Sequence, residues 1–197
     1  MKKNVKLCIG IVGGGLALIV LAVLVFPKHQ STPYLRAFAE DEFSLEGELV
    51  LWGSKETTRN HVLEYHSGTD YGIEYPARSY FFIDGQYYLE DAEHGLTPVS
   101  VPVEEMDQIV EMFDRASVLS NYDFSGAKYL SGSSIEIPES STGELLLCDC
   151  EEYQLADQQH TVRMYFHSGS LYAIQAKEDS HFLFYVSSFS RQPQAFT

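Results

Sequence analysis

From Gly143 to Phe189 the chain alternates short aliphatic and aromatic runs with polar breaks. Leu145 to Tyr153, Thr161 to Phe166, Leu171 to Ile174 and Phe182 to Val186 are the runs; Asp157-Gln158-Gln159, His167-Ser168-Gly169-Ser170 and Lys177-Glu178-Asp179-Ser180 separate them. Such spacing predicts an antiparallel meander with strands of about five to eight residues. Upstream, Phe43, Leu45, Leu49 and Leu51 share one face of a further strand while Glu46 and Glu48 alternate with them. Further strands are predicted near Asn60 to Glu64 and Tyr71 to Tyr75. Ser79 to Ile83 and Gln86 to Glu90 read as a hairpin across Asp84-Gly85, because glycine accepts the positive φ of a tight turn. A short extended piece is expected from Pro98 to Val101.

One stretch follows the helical period. Val103, Met106, Ile109, Val110 and Phe113 recur at three- and four-residue steps, giving an apolar stripe on a helix from Val103 to Arg115. Pro102 stands at its start, Glu104 and Glu105 suit the positive end of its dipole, and Arg115 suits the other. Residues 117–142 are rich in Ser and Gly, which predicts a loop or a loosely held strand around Tyr122 and Phe124.

The N-terminus has a different pattern. Leu7 to Phe26 is uncharged and almost wholly apolar, long enough at about 20 residues to cross a hydrocarbon core of about 30 Å. Lys2, Lys3 and Lys6 precede it, a bias that keeps that end in the cytoplasm and puts the rest outside. A lipoprotein signal needs its cysteine after the apolar run, and Cys8 stands at its start. A cleavage site of small residues at Ala37-Phe38-Ala39 lies far beyond Phe26. The reading is therefore an uncleaved signal anchor over residues 1–26, a linker over 27–41 with Pro27 and Pro33 breaking the helix, and an extracytoplasmic domain over 42–197.

Charge narrows the partners. Beyond residue 6, ten Lys and Arg face 28 Asp and Glu, a balance of −18. Such a surface repels phosphate backbones, so nucleic acid is not an expected partner. Three cysteines make no disulfide framework; Cys148 and Cys150 lie two apart, on one face of a strand, and read as small packed residues.

Strands, hairpin, amphipathic helix and final strands, in that order, resemble the LolA-like and LppX-like envelope proteins. The likeness is carried by residues 80–88 followed by the 103–115 helix, and by Glu151-Glu152-Tyr153 followed by Val162 to Phe166 and Leu171 to Ile174. It is one of pattern over about residues 43–189, without a diagnostic motif. It implies an α+β, mainly antiparallel fold: a curved meander sheet forming a half-barrel, one amphipathic helix on its concave face, and a transmembrane helix before it. In such relatives the concave side holds acyl chains or other lipids. Membrane attachment through Leu7 to Phe26 departs from a shuttling role, and no ligand residue is matched one for one.

Catalytic signatures are lacking. The sequence has no P-loop, G-x-G-x-x-G, H-E-x-x-H or G-x-S-x-G motif. No His, Cys and carboxylate cluster has metal-ligand spacing, so neither metal nor cofactor is expected. The aromatic content is the remaining signal, with 12 Phe and 13 Tyr. Phe82, Met106, Ile109, Phe113, Met164, Phe166, Phe182 and Phe184 are the candidate ligand-lining residues, or else they fill an ordinary core. The expected function is a membrane-tethered, non-catalytic binding module for a lipid, a lipoprotein segment or another apolar group. The alternative is a structural or interaction subunit with a filled core that recognises an envelope protein.

Overall fold

A computed structural model describes residues 29–52, 56–119, 122–176 and 182–192. The apolar stretch from Leu7 to Phe26 lies outside them. Among the described residues no helix is long and apolar enough to cross a membrane.

All the strands among the described residues belong to one sheet. In chain order they are β1 (Glu42–Trp52), β2 (Thr57–Ser67), β3 (Asp70–Glu74), β4 (Arg78–Ile83), β5 (Gln86–Asp91), β6 (Gly95–Pro98), β7 (Lys128–Pro138), β8 (Leu145–Gln154), β9 (Thr161–His167), β10 (Ser170–Ala176) and β11 (Phe182–Ser190). Their spatial order is β6-β5-β4-β3-β2-β1-β11-β10-β9-β8-β7. Both halves are meanders, and the antiparallel pairing of β1 with β11 joins them at the centre. Among the described residues two helices complete the fold, α1 (Thr32–Ala39) and α2 (Met106–Ala116), with a 3-10 turn at Val103–Glu105 leading into α2. The class is α+β and mainly antiparallel β, as the patterning predicts.

The local chemistry explains most boundaries. Asp84 and Gly85 both take positive φ, 53° and 76°, at the turn between β4 and β5. Ser168 and Gly169 do the same between β9 and β10, at 51° and 81°. In α2, Phe113 and Ala116 are buried while Glu111 and Arg115 pair on the solvent side.

Two segments differ from expectation. Residues 27–41 are predicted as a linker, yet the described part contains α1, whose Ala37 and Phe38 are buried. The helix is too short to stand alone and depends on docking its apolar side. Phe38 meets Phe43, Phe124 and Phe189 at ring separations of 5.0, 5.1 and 5.8 Å. Within 117–142, an 11-residue strand, β7, stands where a loop or loose strand is expected. Its Ser131-Gly132-Ser133-Ser134 centre has no apolar alternation, and pairing with β8 alone defines it.

Each face of the sheet carries a core. On one face, α1, the end of α2 and the side chains of Val118, Leu119, Tyr122 and Phe124 cover Phe43, Leu45, Val62, Ile73, Met164, Phe166 and Phe184. On the other, Val50, Tyr165, Ala173, Leu183 and Tyr185 pack with Ile137, Cys148 and Cys150. The β7–β8 hairpin reaches across this second face. Tyr185 Oη donates to the Pro138 carbonyl at 2.8 Å, and the Ser140 N–H to Tyr172 Oη at 3.3 Å. At its tip Ser140 meets Glu48, which Arg59 also holds at 2.6 Å. Cys148 and Cys150 are free and almost fully buried. Burial pushes both thiols up, Cys150 to about 11.

Candidate functional site

The helix-covered face carries a buried polar centre and the clefts beside it. β2 exposes Thr57, Thr58 and Arg59 at its start and buries Val62, Glu64, Tyr65 and His66 further on. Alternation puts Val62, Glu64 and His66 on the helix-covered side. Glu64 is fully buried, a costly place for a carboxyl unless its oxygens are bonded. They are. Oε1 lies 2.9 Å from His66 Nε2 and accepts Ser117 Oγ–H at 2.5 Å, while Oε2 accepts the Val118 N–H at 2.7 Å.

His66 is in turn clamped between rings, stacked on Phe43 at 4.6 Å and on Tyr71 at 5.5 Å. Its Nδ1 is 3.9 Å from Asp41 Oδ1. Ser117 gives its hydrogen bond to the carboxylate rather than to the imidazole, so the three groups are not in the Ser–His–carboxylate order of a hydrolytic triad. What the cluster does is fix the backbone that leaves α2 against β2. Tyr75 strengthens the clamp by donating to the Ala116 carbonyl at 2.6 Å. Burial, with Glu64 and Tyr80 nearby, pushes the Tyr75 phenol up to about 12, so it remains a donor.

Next to this clamp the face is not fully packed. A cleft of about 260 Å³ is bounded by Leu49 and Leu51 of β1, Phe182 of β11, and Ser117, Val118 and Tyr122. Asn60, Tyr75 and Arg115 form its remaining wall and also border a second groove of about 440 Å³, which continues along Tyr80, Gln108, Glu111 and Met112. The register explains the opening: Leu51 faces Phe182 across β1–β11, and Leu49 faces Asn60 across β1–β2, beyond the point where residues 117–119 cover the sheet. Gly47 lies one step further along β1. A Cβ there would stand 2.0 Å from the Tyr185 carbonyl oxygen and 2.8 Å from the Phe184 ring, so only glycine leaves room for both.

The residues expected to line a ligand site are distributed over four places. Met164, Phe166 and Phe184 are buried together in the core under α1, Val118, Leu119 and Phe124. Phe113 is fully buried and sits among Tyr71, Tyr80 and Tyr87, with ring separations of 6.4, 5.4 and 4.7 Å. Phe82 is half-buried at the rim of that group, 5.6 Å from Tyr71 and 4.6 Å from Tyr87. Met106 and Ile109 are half-exposed in the first half of α2. Phe182 alone of the eight borders the 260 Å³ cleft. Leu49 and Leu51 already stand out as inward positions in the sequence. Asn60, Tyr75, Arg115 and Val118 carry no such signal, because the fold alone gathers them.

Among the described residues no group of three or more His, Cys, Asp or Glu is placed to hold a metal ion. No protein-family model matches the chain, and neither does any curated protein.

Proposed function

We propose that the protein is a non-catalytic binding module, tethered to a membrane through residues 7–26 and displaying its sheet domain outside the cytoplasm. The ligand is an apolar chain, either an acyl tail or an apolar lipoprotein segment, inserted beside the C-terminal end of α2. The observation that carries this reading is the cleft on the helix-covered face, where Leu49, Leu51, Phe182 and Val118 form an apolar side left unfilled beside the core. Its 260 Å³ is below the roughly 300–1,000 Å³ of sites for drug-sized ligands, which suits one narrow chain continuing into the neighbouring groove. Asn60 and Arg115 at the shared wall supply polar contacts at the mouth. The resemblance to LolA-like half-barrels, in which a curved sheet holds lipid against its helix-covered side, points the same way.

A second reading has an observation of its own. Phe113, Met164, Phe166 and Phe184 are at most 1% exposed, so most of the face is already filled by the protein itself. That favours an interaction subunit recognising an envelope protein. Native mass spectrometry of the detergent-extracted full chain separates the two. A lipid-sized adduct that disappears in Leu51→Trp, where the indole fills the mouth, supports the binding module. An adduct-free protein that also fails to quench or shift a fluorescent fatty acid leaves the interaction subunit.

A further inference from the structure

Seven large apolar side chains stand exposed among the described residues, and four of them are on one ribbon. Tyr129 and Leu130 belong to β7, at 43% and 49% exposure, and Leu145 and Leu147 to β8, at 65% and 61%. β7 is the last strand on its side of the sheet. Leu130 is the extra residue at the register shift between Tyr129 and Ser131, where the alternation of β7 is interrupted. Alternation along β8 puts Leu145, Leu147, Asp149 and Glu151 on a common face.

The chain comes into the domain on that same face. Gln30 Nε2 donates to Asp149 Oδ2 at 3.2 Å, and the Gln30 and Ser31 N–H groups donate to the two Glu151 oxygens at 3.0 and 3.1 Å. The His29 ring stacks on Tyr129 at 4.1 Å. Only Pro27 and Lys28 separate His29 from Phe26, where the apolar stretch ends. Three Cα steps span about 11 Å at most. A domain fixed this closely cannot swing clear of a membrane that holds residues 7–26.

We propose that the β7–β8 ribbon is a membrane-contact surface, with Tyr129, Leu130, Leu145 and Leu147 resting on the boundary between lipid headgroups and acyl chains. The inference depends on the tether proposed above. It selects the bilayer over a partner protein because the short connection leaves no room for a folded partner between the two. Glu136 and Glu144 are exposed on the same hairpin, and Asp149 is held by Gln30 and Ser134, so the contact is shallow and does not require anionic lipid.

The test uses the full chain in phosphatidylcholine vesicles whose acyl chains carry bromine. With Cys8→Ser as background, an environment-sensitive fluorophore is attached at Leu147→Cys, at Leu130→Cys, or at Leu96→Cys on the opposite edge strand, where Leu96 is 54% exposed. Cys148 and Cys150 remain, and the background protein reports any labelling of them. The expected result is quenching roughly threefold or more stronger at 130 and 147 than at 96. Equal quenching at the three sites, in protein that resists alkaline extraction from the vesicles, overturns the contact surface and leaves the tether standing. Protein extracted by alkali removes the tether and the contact surface with it.

Discussion

Replacing Glu64 by alanine takes away the acceptor of the Val118 N–H and Ser117 O–H groups and the partner of His66 Nε2, all inside the protein. A buried donor left without an acceptor costs about 1–3 kcal/mol, and breaking a buried charged or hydrogen-bonded pair costs about 3–5 kcal/mol in total. The Val118 amide has little access to water, since that residue is 7% exposed, so the penalty falls in the upper part of this range. For a domain of this size about 2–4 °C is lost per kcal/mol, giving a fall in Tm of about 6–20 °C. Glu64→Gln retains the volume and one oxygen for Val118, and is expected to lose about half as much. Thermal unfolding followed by far-UV circular dichroism on detergent-solubilised protein measures the loss. Hydrogen exchange at Val118, faster in Glu64→Ala than in Ser117→Ala, assigns it to the clamp. If Glu64→Ala unfolds within about 1 kcal/mol of the parent, the carboxylate is not what holds residues 117–119 on the sheet, and the account of the cleft wall fails with it.

Three further outcomes are expected. Gly47→Ala drives a Cβ into the Tyr185 carbonyl and the Phe184 ring, and urea unfolding should show a loss of about 3 kcal/mol or more, whereas a neutral result would mean that β1 and β11 separate freely there. Glu151 has its carboxyl pushed up by burial, but hydrogen bonds from Ser31, Gln30 and Tyr153 outweigh this and hold it below its ordinary value of 4.5. A carboxylate depressed in the folded state contributes stability that is complete above the unfolded value and is lost as pH falls through the folded one. Urea titrations from pH 7 to 3 should therefore show a loss of stability below about 4.5 that is smaller in Glu151→Gln; the same slope in both proteins refutes it. Cys148 and Cys150, buried and with thiols pushed up, should resist a disulfide reagent at pH 8 until denaturant is added, and rapid labelling of the native Cys8→Ser protein would show that the second core opens.

Elements whose pattern is set by their own residues were legible in the sequence. Asp84-Gly85 dictates its hairpin because it supplies both positive φ values, and the stripe ending in Phe113 dictates α2 because its spacing matches one helical face. The last four strands follow from alternating apolar runs with turn residues between them. Other elements exist only through distant partners. The α1 helix depends on Phe38 reaching the aromatic core and on Glu151, about 120 positions away, accepting the N–H groups of Gln30 and Ser31. β7 is a strand because β8 offers it a ladder, whatever its Ser and Gly content suggests. The candidate site belongs to this second kind. Leu49 and Leu51 could be read as inward-facing, but whether their side chains meet a filled core or an opening depends on how Ser117 and Val118 are placed beside them. That placement is fixed by the bonds of Glu64 with Ser117 and Val118, a contact across more than 50 residues that no local periodicity encodes.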